Sequence, residues 1–364
     1  MTDSIFITGA TGHVGASLIP RLLEDDQTRI IALVRAKDDE HLQQRRQKLL
    51  SRLAIDEKRF IAIKGDVAEP NLGISVADQA LIDSEVTSLI HSAASVRFDM
   101  PQEKAAEQNI AATQAMLTLA QSLAEKGRLK RYDHVSTCYV AGTRIGPVFE
   151  NENDEGQDFR NSYEWSKCEA EKHVRTAIKA GLPAAISRPS IIVGEQESGA
   201  TKSFNVIYWP MKIYTKGWWR TFPGKRTAPV DIVPVDFVTK AIVRIRAQES
   251  TLGKCFHLAV GDNAPTVSEL EEVARKLTGG PPIRYIDQKL YKKYFRPLLL
   301  PLYVTKRGQA IKRGGDAFMP YFEDNPIFDR SNAKEALGDL KPPNVLEYIS
   351  QTIQYALEAD FQAS

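Results

Sequence analysis

The stretch Ser4-Ile5-Phe6-Ile7-Thr8-Gly9-Ala10-Thr11-Gly12-His13-Val14-Gly15 decides how this chain folds. Its first half is an apolar, β-branched run of the kind that makes a buried strand. Its second half has glycines at its first, fourth and seventh positions and leads directly into a helical pattern near 13–25. A turn this tight from strand to helix needs residues without a β-carbon. The amides that open the helix then point outward, and the helix dipole favours a pyrophosphate there. A glycine pattern alone is weak evidence. In a first strand-to-helix turn it predicts a dinucleotide-binding loop over 9–15, with a tight turn that holds no ligand as the plain alternative.

Outward from that loop the chain alternates. Strand patterns at 30–34, 60–64, 88–91, 132–136 and 184–187 are separated by helical patterns near 38–54, 75–84, 101–126 and 161–181. Alternation of this kind predicts an α/β fold: a Rossmann-type, doubly wound parallel sheet with helices on both faces. After about residue 190 the rhythm changes. Proline, tryptophan and glycine cluster over 208–224, then come a helix at 235–248, a strand at 255–259 and helices at 266–278 and 344–358. The expected division is a nucleotide-binding domain over 1–190, to which 225–260 returns. Residues 191–224 and 261–364 are expected to form a small mixed α/β C-terminal lobe over the substrate.

Composition sets limits. The 364 residues are 43% hydrophobic and 26% charged, with 48 Lys plus Arg against 46 Asp plus Glu. That balance suits a protein with a sizeable core and excludes a general polyanion or nucleic-acid binder. Three cysteines, Cys138, Cys168 and Cys255, exclude a disulfide framework and a four-cysteine zinc site. No metal is expected. The five acidic residues of 149–159 have no His or Cys beside them and read as a solvated loop. No secretory leader is expected, and there is no run of about 18 apolar residues. A cytoplasmic protein is expected, with peripheral membrane contact left open.

The end of the second strand bears on the cofactor. A NAD site usually places a carboxylate about 20 residues after the glycine loop. Here the residues are Leu33-Val34-Arg35-Ala36-Lys37. A guanidinium at Arg35 can grip a 2′-phosphate with two hydrogen bonds, so NADPH is expected. Arg45 is either a second contact or part of a solvated helix face. Asp66, in Gly65-Asp66-Val67, either holds an adenine amino group or caps the next helix.

Tyr163-Glu164-Trp165-Ser166-Lys167 puts a phenol and an ammonium four residues apart, on one face of a helix. A free phenol has a pKa of about 10. A neighbouring ammonium is expected to lower it and make Tyr163 a useful acid–base. Upstream, Ser136-Thr137 ends a strand beside the cofactor, where the Thr137 hydroxyl would hold a carbonyl oxygen together with Tyr163.

With these residues in register the chain resembles the extended short-chain dehydrogenase/reductases. Within them it is similar to the fatty acyl-CoA reductases of the male sterility group and to thioester reductase domains. The similarity rests on several further segments. They are Gly65-Asp66-Val67 with Pro70-Asn71-Leu72-Gly73-Ile74-Ser75, and His91-Ser92-Ala93-Ala94-Ser95-Val96-Arg97-Phe98. His134-Val135-Ser136-Thr137-Cys138-Tyr139, then Asn161, Tyr163, Ser166-Lys167 and Ala170-Glu171, follow in order. Arg188-Pro189-Ser190-Ile191 and Asp231, Val233-Pro234-Val235-Asp236 complete the set. Tyr321-Phe322 and Phe328-Asp329-Arg330-Ser331-Asn332 match more loosely. The resemblance covers about 4–245, and 318–358 in part.

The resemblance implies roles. Thr137, Tyr163 and Lys167 would be catalytic. Gly9, Thr11, Gly12 and Gly15 would hold the pyrophosphate, with His13 and Val14 in the same loop. Arg35, Arg45, Asp66 and Val67 would surround the adenosine end. Ala93 and Ala94 would let the cofactor approach the sheet, and Lys167, Pro189 and Ser190 would adjoin the nicotinamide and its ribose. Asn109 would make a structural hydrogen bond. Cys138 is read as an ordinary buried cysteine, not as an acyl carrier. The implied reaction is NADPH-dependent reduction of an acyl thioester, from acyl-CoA or an acyl carrier protein, to the aldehyde, with further reduction to the alcohol left open. No adenylation or carrier domain accompanies the motifs, so the thioester is expected from outside the chain. The segment 204–222 would line an acyl pocket and 298–302 would shape its mouth, with ordinary core packing as the alternative for both. Lys306-Arg307 and Lys312-Arg313 read as a solvated face, or as contacts for the donor's phosphates. The rival readings are an extended reductase or epimerase acting on a free carbonyl, hydroxyl or sugar nucleotide, and a redox-silent NADPH-binding regulator.

Overall fold

The computed structural model describes residues 3–204, 206–217, 221–299 and 301–362. Among them, seven strands form one parallel sheet. They are β1 (Asp3–Thr8), β2 (Thr28–Val34), β3 (Phe60–Lys64), β4 (Ser88–His91), β5 (Arg131–Val135), β6 (Ala184–Pro189) and β7 (Cys255–Leu258). Their order across the sheet is β7-β6-β5-β4-β1-β2-β3. Ile5 pairs with Ile30 on one side and Ser88 on the other, so the chain reverses its direction of growth at the β1/β4 boundary. Such a switch point leaves a crevice at the carboxyl ends of the two strands. Ile5, Phe6, Ile7, Ile30 and Ile31 are all buried, which is why these strands read as unbroken apolar runs.

Helices cover both faces. Ile5, Ile7, Ile30 and Ala32 pack against α1 (His13–Leu22) and α2 (Asp39–Leu53). Phe6, Ile31 and Leu33 pack against α3 (Val76–Glu85), α4 (Ala112–Glu125) and α5 (Ser162–Lys179). Local signals start these helices. Asp38 accepts from the His41 amide, Ser75 from Asp78 and Asn161 from Glu164. The single helix expected over 101–126 is instead three segments. A turn over Gln102–Ala105 leads into a π-helical turn, Ala106–Ala111, and then α4. The π turn contains Asn109, whose side chain is engaged outside the helix (below), and π turns recur at functional sites.

The later chain adds α6 (Tyr208–Thr215), α7 (Val235–Arg246), α8 (Val267–Thr278), α9 (Lys306–Phe318), α10 (Ser331–Leu337) and α11 (Val345–Glu358). α7 packs on α1 beside the sheet. Three short parallel pairs stitch distant segments together: Ile191–Val193 with Ile232–Pro234, Thr221–Pro223 with Arg284–Ile286, and Gly146–Val148 with Pro326–Phe328. Strands of three residues carry no periodicity, which is why the sequence pattern passes over them.

The acidic loop is not simply solvated. Glu150 is buried and accepts the amides of His257 at 2.7 Å and Ala333 at 3.1 Å, and also that of Asn332. One carboxylate thereby caps the start of α10 and ties it to β7, satisfying amides that would otherwise be orphaned. No helix among the described residues is long and apolar enough to cross a membrane. Nor do the described residues contain a group of three His, Cys, Asp or Glu able to hold a metal ion.

Candidate active site

The glycine loop lies in the switch-point crevice. Gly9 has φ +79°, and a β-carbon there would sit 2.7 Å from the Ala93 nitrogen and the Ser92 carbonyl carbon, just past β4. A β-carbon on Gly15 would strike the Gly9 carbonyl oxygen. The Gly12 amide closes the turn on that oxygen at 2.9 Å. Two cavities meet along the loop. The inner one has a volume of about 430 Å³ and the outer about 350 Å³, and Thr11, Gly12, Ser92 and Ala94 line both. A backbone cradle that only glycine permits, at a helix N-terminus and between two connected cavities, fits a dinucleotide.

The outer cavity gathers Gly9, Arg35, Arg45, Asp66, Val67 and Ala93. Arg35 and Asp66, assigned separate tasks from the sequence, are joined here. Arg35 Nε lies 2.7 Å from Asp66 Oδ2, and Nη2 donates to Oδ1 at 3.1 Å. The carboxylate missing from the end of β2 is thus supplied from the end of β3. Asp66 Oδ1 also accepts the Ala68 amide at 3.1 Å, so it organises its own turn. Arg45 donates to the Arg35 carbonyl oxygen, which brings α2 over the same cavity. The fork spends one edge of the Arg35 guanidinium and leaves the Nη1 donors for another acceptor.

The inner cavity brings together Thr137, Tyr163, Lys167, Pro189 and Ser190 with His13, Val14 and Gly15. Thr137 follows β5 and caps the turn Cys138–Ala141, accepting the Tyr139 amide at 3.2 Å. Its hydroxyl donates to the Pro189 carbonyl at 3.3 Å, and Tyr163 lines the same cavity. The Tyr163 ring stacks on Phe98, with centroids 5.7 Å apart.

The electrostatics depart from the sequence expectation. Burial pushes the Tyr163 phenol up to about 12, and the nearby Thr137 hydroxyl opposes it only in part. Lys167 is turned the other way. It is 2% exposed, and its Nζ donates to the Val135 carbonyl at 2.8 Å. Burial pulls its pKa down to about 8 against the attraction of Glu171. A shared helix face therefore places both groups on one cavity without pairing them.

A buried frame holds these groups. Asn109 donates to Ser166 Oγ at 2.8 Å and to the Ser95 carbonyl at 3.1 Å, and accepts the Ser95 amide at 2.8 Å. Glu171 accepts from Ser136 Oγ at 2.7 Å and forms a fully buried pair with Arg188 at 2.6 Å. Burial pushes the Glu171 carboxyl up, but Arg188 overcomes this and holds it at about 2. Cys138 is buried, its Sγ donating to the Arg188 carbonyl at 2.9 Å, and burial pushes its thiol well above the usual range. That setting makes it inert.

Several cavity residues had no assigned role from sequence. Phe98, Tyr139 and Tyr321 form an aromatic wall, with Phe98–Tyr321 and Tyr139–Tyr321 centroids 5.5 and 5.1 Å apart. Tyr321 donates to Glu164, 157 residues away in sequence, at 2.5 Å, a contact no local pattern announces. Val96, Lys202 and Val206 also line the cavity. The 204–222 segment contributes less than expected. Ile207, Met211, Tyr214 and Phe222 instead enclose a separate apolar cavity with α8 and α11. Residues 205, 218–220 and 300, and the side chains of 298, 299, 302, 306 and 307, lie outside the described set.

The sheet order and the glycine cradle define an NAD(P)-binding Rossmann protein of the extended short-chain dehydrogenase/reductase type. More specifically, the chain belongs to the NAD-binding family described as Male sterility protein, which matches residues 7–242. It is 30% identical over 412 residues to fatty acyl-CoA reductase 1 of Rattus norvegicus, covering 93% of this chain and 78% of that one. It is 28% identical over 288 residues to the non-canonical nonribosomal peptide synthetase cpsA of Aspergillus campestris, covering 74% of this chain. The chain spans about a quarter (26%) of the length of that synthetase. Among solved structures it resembles the terminal R domain from the myxalamid PKS-NRPS pathway, with TM-score 0.83 and 25% identity over 99% of this chain and 92% of that one. UDP-glucuronic acid 4-epimerase from Bacillus cereus shares the fold at 16% identity and TM-score 0.70, covering 99% of this chain and 100% of that one.

Proposed function

We propose that this chain reduces acyl thioesters, delivered as acyl-CoA or on an acyl carrier protein, to the aldehyde with NADPH. One observation carries the reading: Thr137 and Tyr163 line the same cavity as the glycine loop, Thr11 to Gly15. A carbonyl oxygen between them accepts from both, and the aromatic wall keeps water from the charge that develops on it. When bound, the dinucleotide supplies the hydride. Tyr163 stays protonated at neutral pH, because burial raises its pKa, and it donates its proton to the oxygen. Release of the thiol leaves the aldehyde, and the same two hydroxyls can serve a second reduction to the alcohol.

For the cofactor, Gly9, Thr11, Gly12, His13, Val14 and Gly15 would hold the pyrophosphate. Ala93 and Ala94 would leave room beside β4, and Pro189 and Ser190 would border the nicotinamide. Lys167 would turn between the Val135 carbonyl and the ribose. Arg35 and Arg45 would meet the 2′-phosphate, with Asp66 and Val67 near the adenine. Residues 191–224 and 261–364 would close the substrate side. Three buried free cysteines suit a reducing compartment such as the cytoplasm.

The test is NADPH oxidation with acyl-CoA or acyl carrier protein, read together with free thiol. Equal amounts of oxidised cofactor and thiol at the aldehyde stage are expected. Turnover of a free aldehyde with no thioester reduced at any chain length would overturn the proposal.

A further inference from the structure

Phe98 packs against two tyrosines of the inner cavity. Its ring centroid lies 5.7 Å from that of Tyr163, with the planes 27° apart, and 5.5 Å from that of Tyr321, with the planes 21° apart. Phe98 sits in the irregular stretch 92–100, where neither helix nor strand fixes it. The same stretch is tied to the start of α5, because Ser162 Oγ donates to the Met100 carbonyl at 2.7 Å. The ring that borders Tyr163 therefore depends on its neighbours for its own place.

Tyr321, by contrast, is held from several sides. It lies in the turn Met319–Phe322 that follows α9. Its hydroxyl donates to Glu164 Oε1 at 2.5 Å and accepts from Asn161 Nδ2 at 2.9 Å. The Arg160 guanidinium lies 5.3 Å from its ring centroid, and Asn325 Nδ2 donates to its carbonyl oxygen at 2.6 Å. Arg160 also donates to Asn325 Oδ1 at 3.2 Å. Glu164 is the third residue of α5, a position from which an acid ordinarily folds back onto the amide of the cap residue. Here its Oε2 accepts the Arg160 amide at 3.0 Å instead, and its Oε1 is given to Tyr321. Burial keeps the Tyr321 phenol well above its usual pKa, so it remains a donor, and its proton is committed to Glu164. It has none to offer a substrate and is not a catalytic residue.

We propose that Tyr321 is a positioning residue for the reduction: anchored to the start of α5, its ring backs Phe98, and Phe98 keeps the Tyr163 phenol aimed at the carbonyl oxygen. The inference rests on thioester reduction as proposed above. A phenol transfers its proton only within hydrogen-bond reach of the oxygen, and a displacement of about 1 Å can cost about 10²-fold in rate. A ring on irregular backbone limits its neighbour only when it is itself backed. Tyr321 does this with a ring whose rotation is stopped at the hydroxyl. A phenylalanine would fill the same wall, so the hydroxyl serves to hold the ring and not to complete the packing.

The experiment measures reduction of acyl-CoA with NADPH by the unaltered full chain, by Tyr321→Phe, Tyr321→Leu and Tyr163→Phe, and by each Tyr321 substitution combined with Tyr163→Phe. The slow variants are followed in single turnovers at high enzyme concentration. Tyr321→Leu is expected to lower kcat about 10–10²-fold, and Tyr321→Phe, which keeps the ring without its anchor, by about threefold or more. KM for acyl-CoA, and NADPH affinity read by fluorescence, are expected to stay within about twofold. In the Tyr163→Phe background either substitution is expected to change kcat by less than about twofold, because the hydroxyl it would misplace is already gone. A residue that only shapes the wall gives a loss in KM, or a loss of the same factor in both backgrounds. Either result, or no loss at all, overturns the inference while leaving thioester reduction standing. Should Tyr321→Leu fail to fold, Tyr321→Phe decides alone. Failure of the unaltered chain to reduce any thioester removes both.

Discussion

Lys167 Nζ and the Val135 carbonyl oxygen are 2.8 Å apart, so the ammonium of the Tyr-x-x-x-Lys pair is tied to the end of β5. Its pKa in the folded chain is about 8 instead of the usual 10.5. The folded state therefore gives up this proton before the unfolded state does, and between pH 8 and 10.5 the unfolded chain binds more protons. Stability attributable to Lys167 should rise with pH across that window, by at most about 1.4 kcal/mol per pH unit. Urea unfolding of the chain and of Lys167→Met measures it. Stability of the unaltered chain that rises relative to the variant's from pH 8 upward agrees with the geometry, and a relative fall contradicts it.

Tyr163→Phe keeps the ring on Phe98 and removes the hydroxyl proposed to meet the carbonyl oxygen. Turnover should fall by about 10²–10⁴-fold. NADPH affinity should stay close to that of the unaltered chain, because the glycine cradle is untouched. Steady-state rates with fluorescence titration check both, and retained turnover would remove Tyr163 from the chemistry.

The Arg35–Asp66 fork makes a paired prediction. Arg35→Asp should weaken NADPH well over tenfold more than NADH, since it places a carboxylate against the 2′-phosphate. Asp66→Asn should act in the opposite direction and tighten NADPH relative to NADH, because the guanidinium no longer answers to a carboxylate. Equal effects on the two dinucleotides would show that this pair does not read the phosphate.

Glu171→Gln leaves the fully buried Arg188 without its carboxylate. A loss of about 3–5 kcal/mol is expected from urea unfolding. The folded pKa of Glu171 is about 2, below its ordinary value of 4.5. Its contribution is therefore complete above pH 4.5 and lost as the pH falls toward 2. If the variant shows the same acid sensitivity in that range as the unaltered chain, Glu171 is not the group responsible.

The sheet was legible because its strands are buried on both faces and its helices announce themselves with Asp38, Ser75 and Asn161 caps. The glycine cradle was legible because steric demand writes itself into residue type. The residues on the inner cavity were legible as a set, and the partner of each was not. Spacing placed Tyr163 and Lys167 on one face, yet whether an ammonium turns to a phenol or to a carbonyl depends on where β5 ends. The pairing of Arg35 with Asp66 depends on β2 and β3 being neighbours, which no local pattern records. Glu150 reads as a surface acid until β7 and α10 arrive to claim it. Tyr321 was quoted in a matching segment and had no role until the fold brought it to Glu164.

Asn161 does two things with one side chain. Its Oδ1 accepts the Glu164 amide at 3.0 Å and starts α5, while its Nδ2 donates to the Tyr321 hydroxyl at 2.9 Å. The first turn of the helix that carries Tyr163 is thus clasped by a residue synthesised much later. During translation the nucleotide-binding sheet can assemble while that clasp is still inside the ribosome. A nascent chain would acquire cofactor affinity first and reductive competence only when Tyr321 emerges, so a half-made molecule holding a reduced dinucleotide would have no finished site in which to spend it.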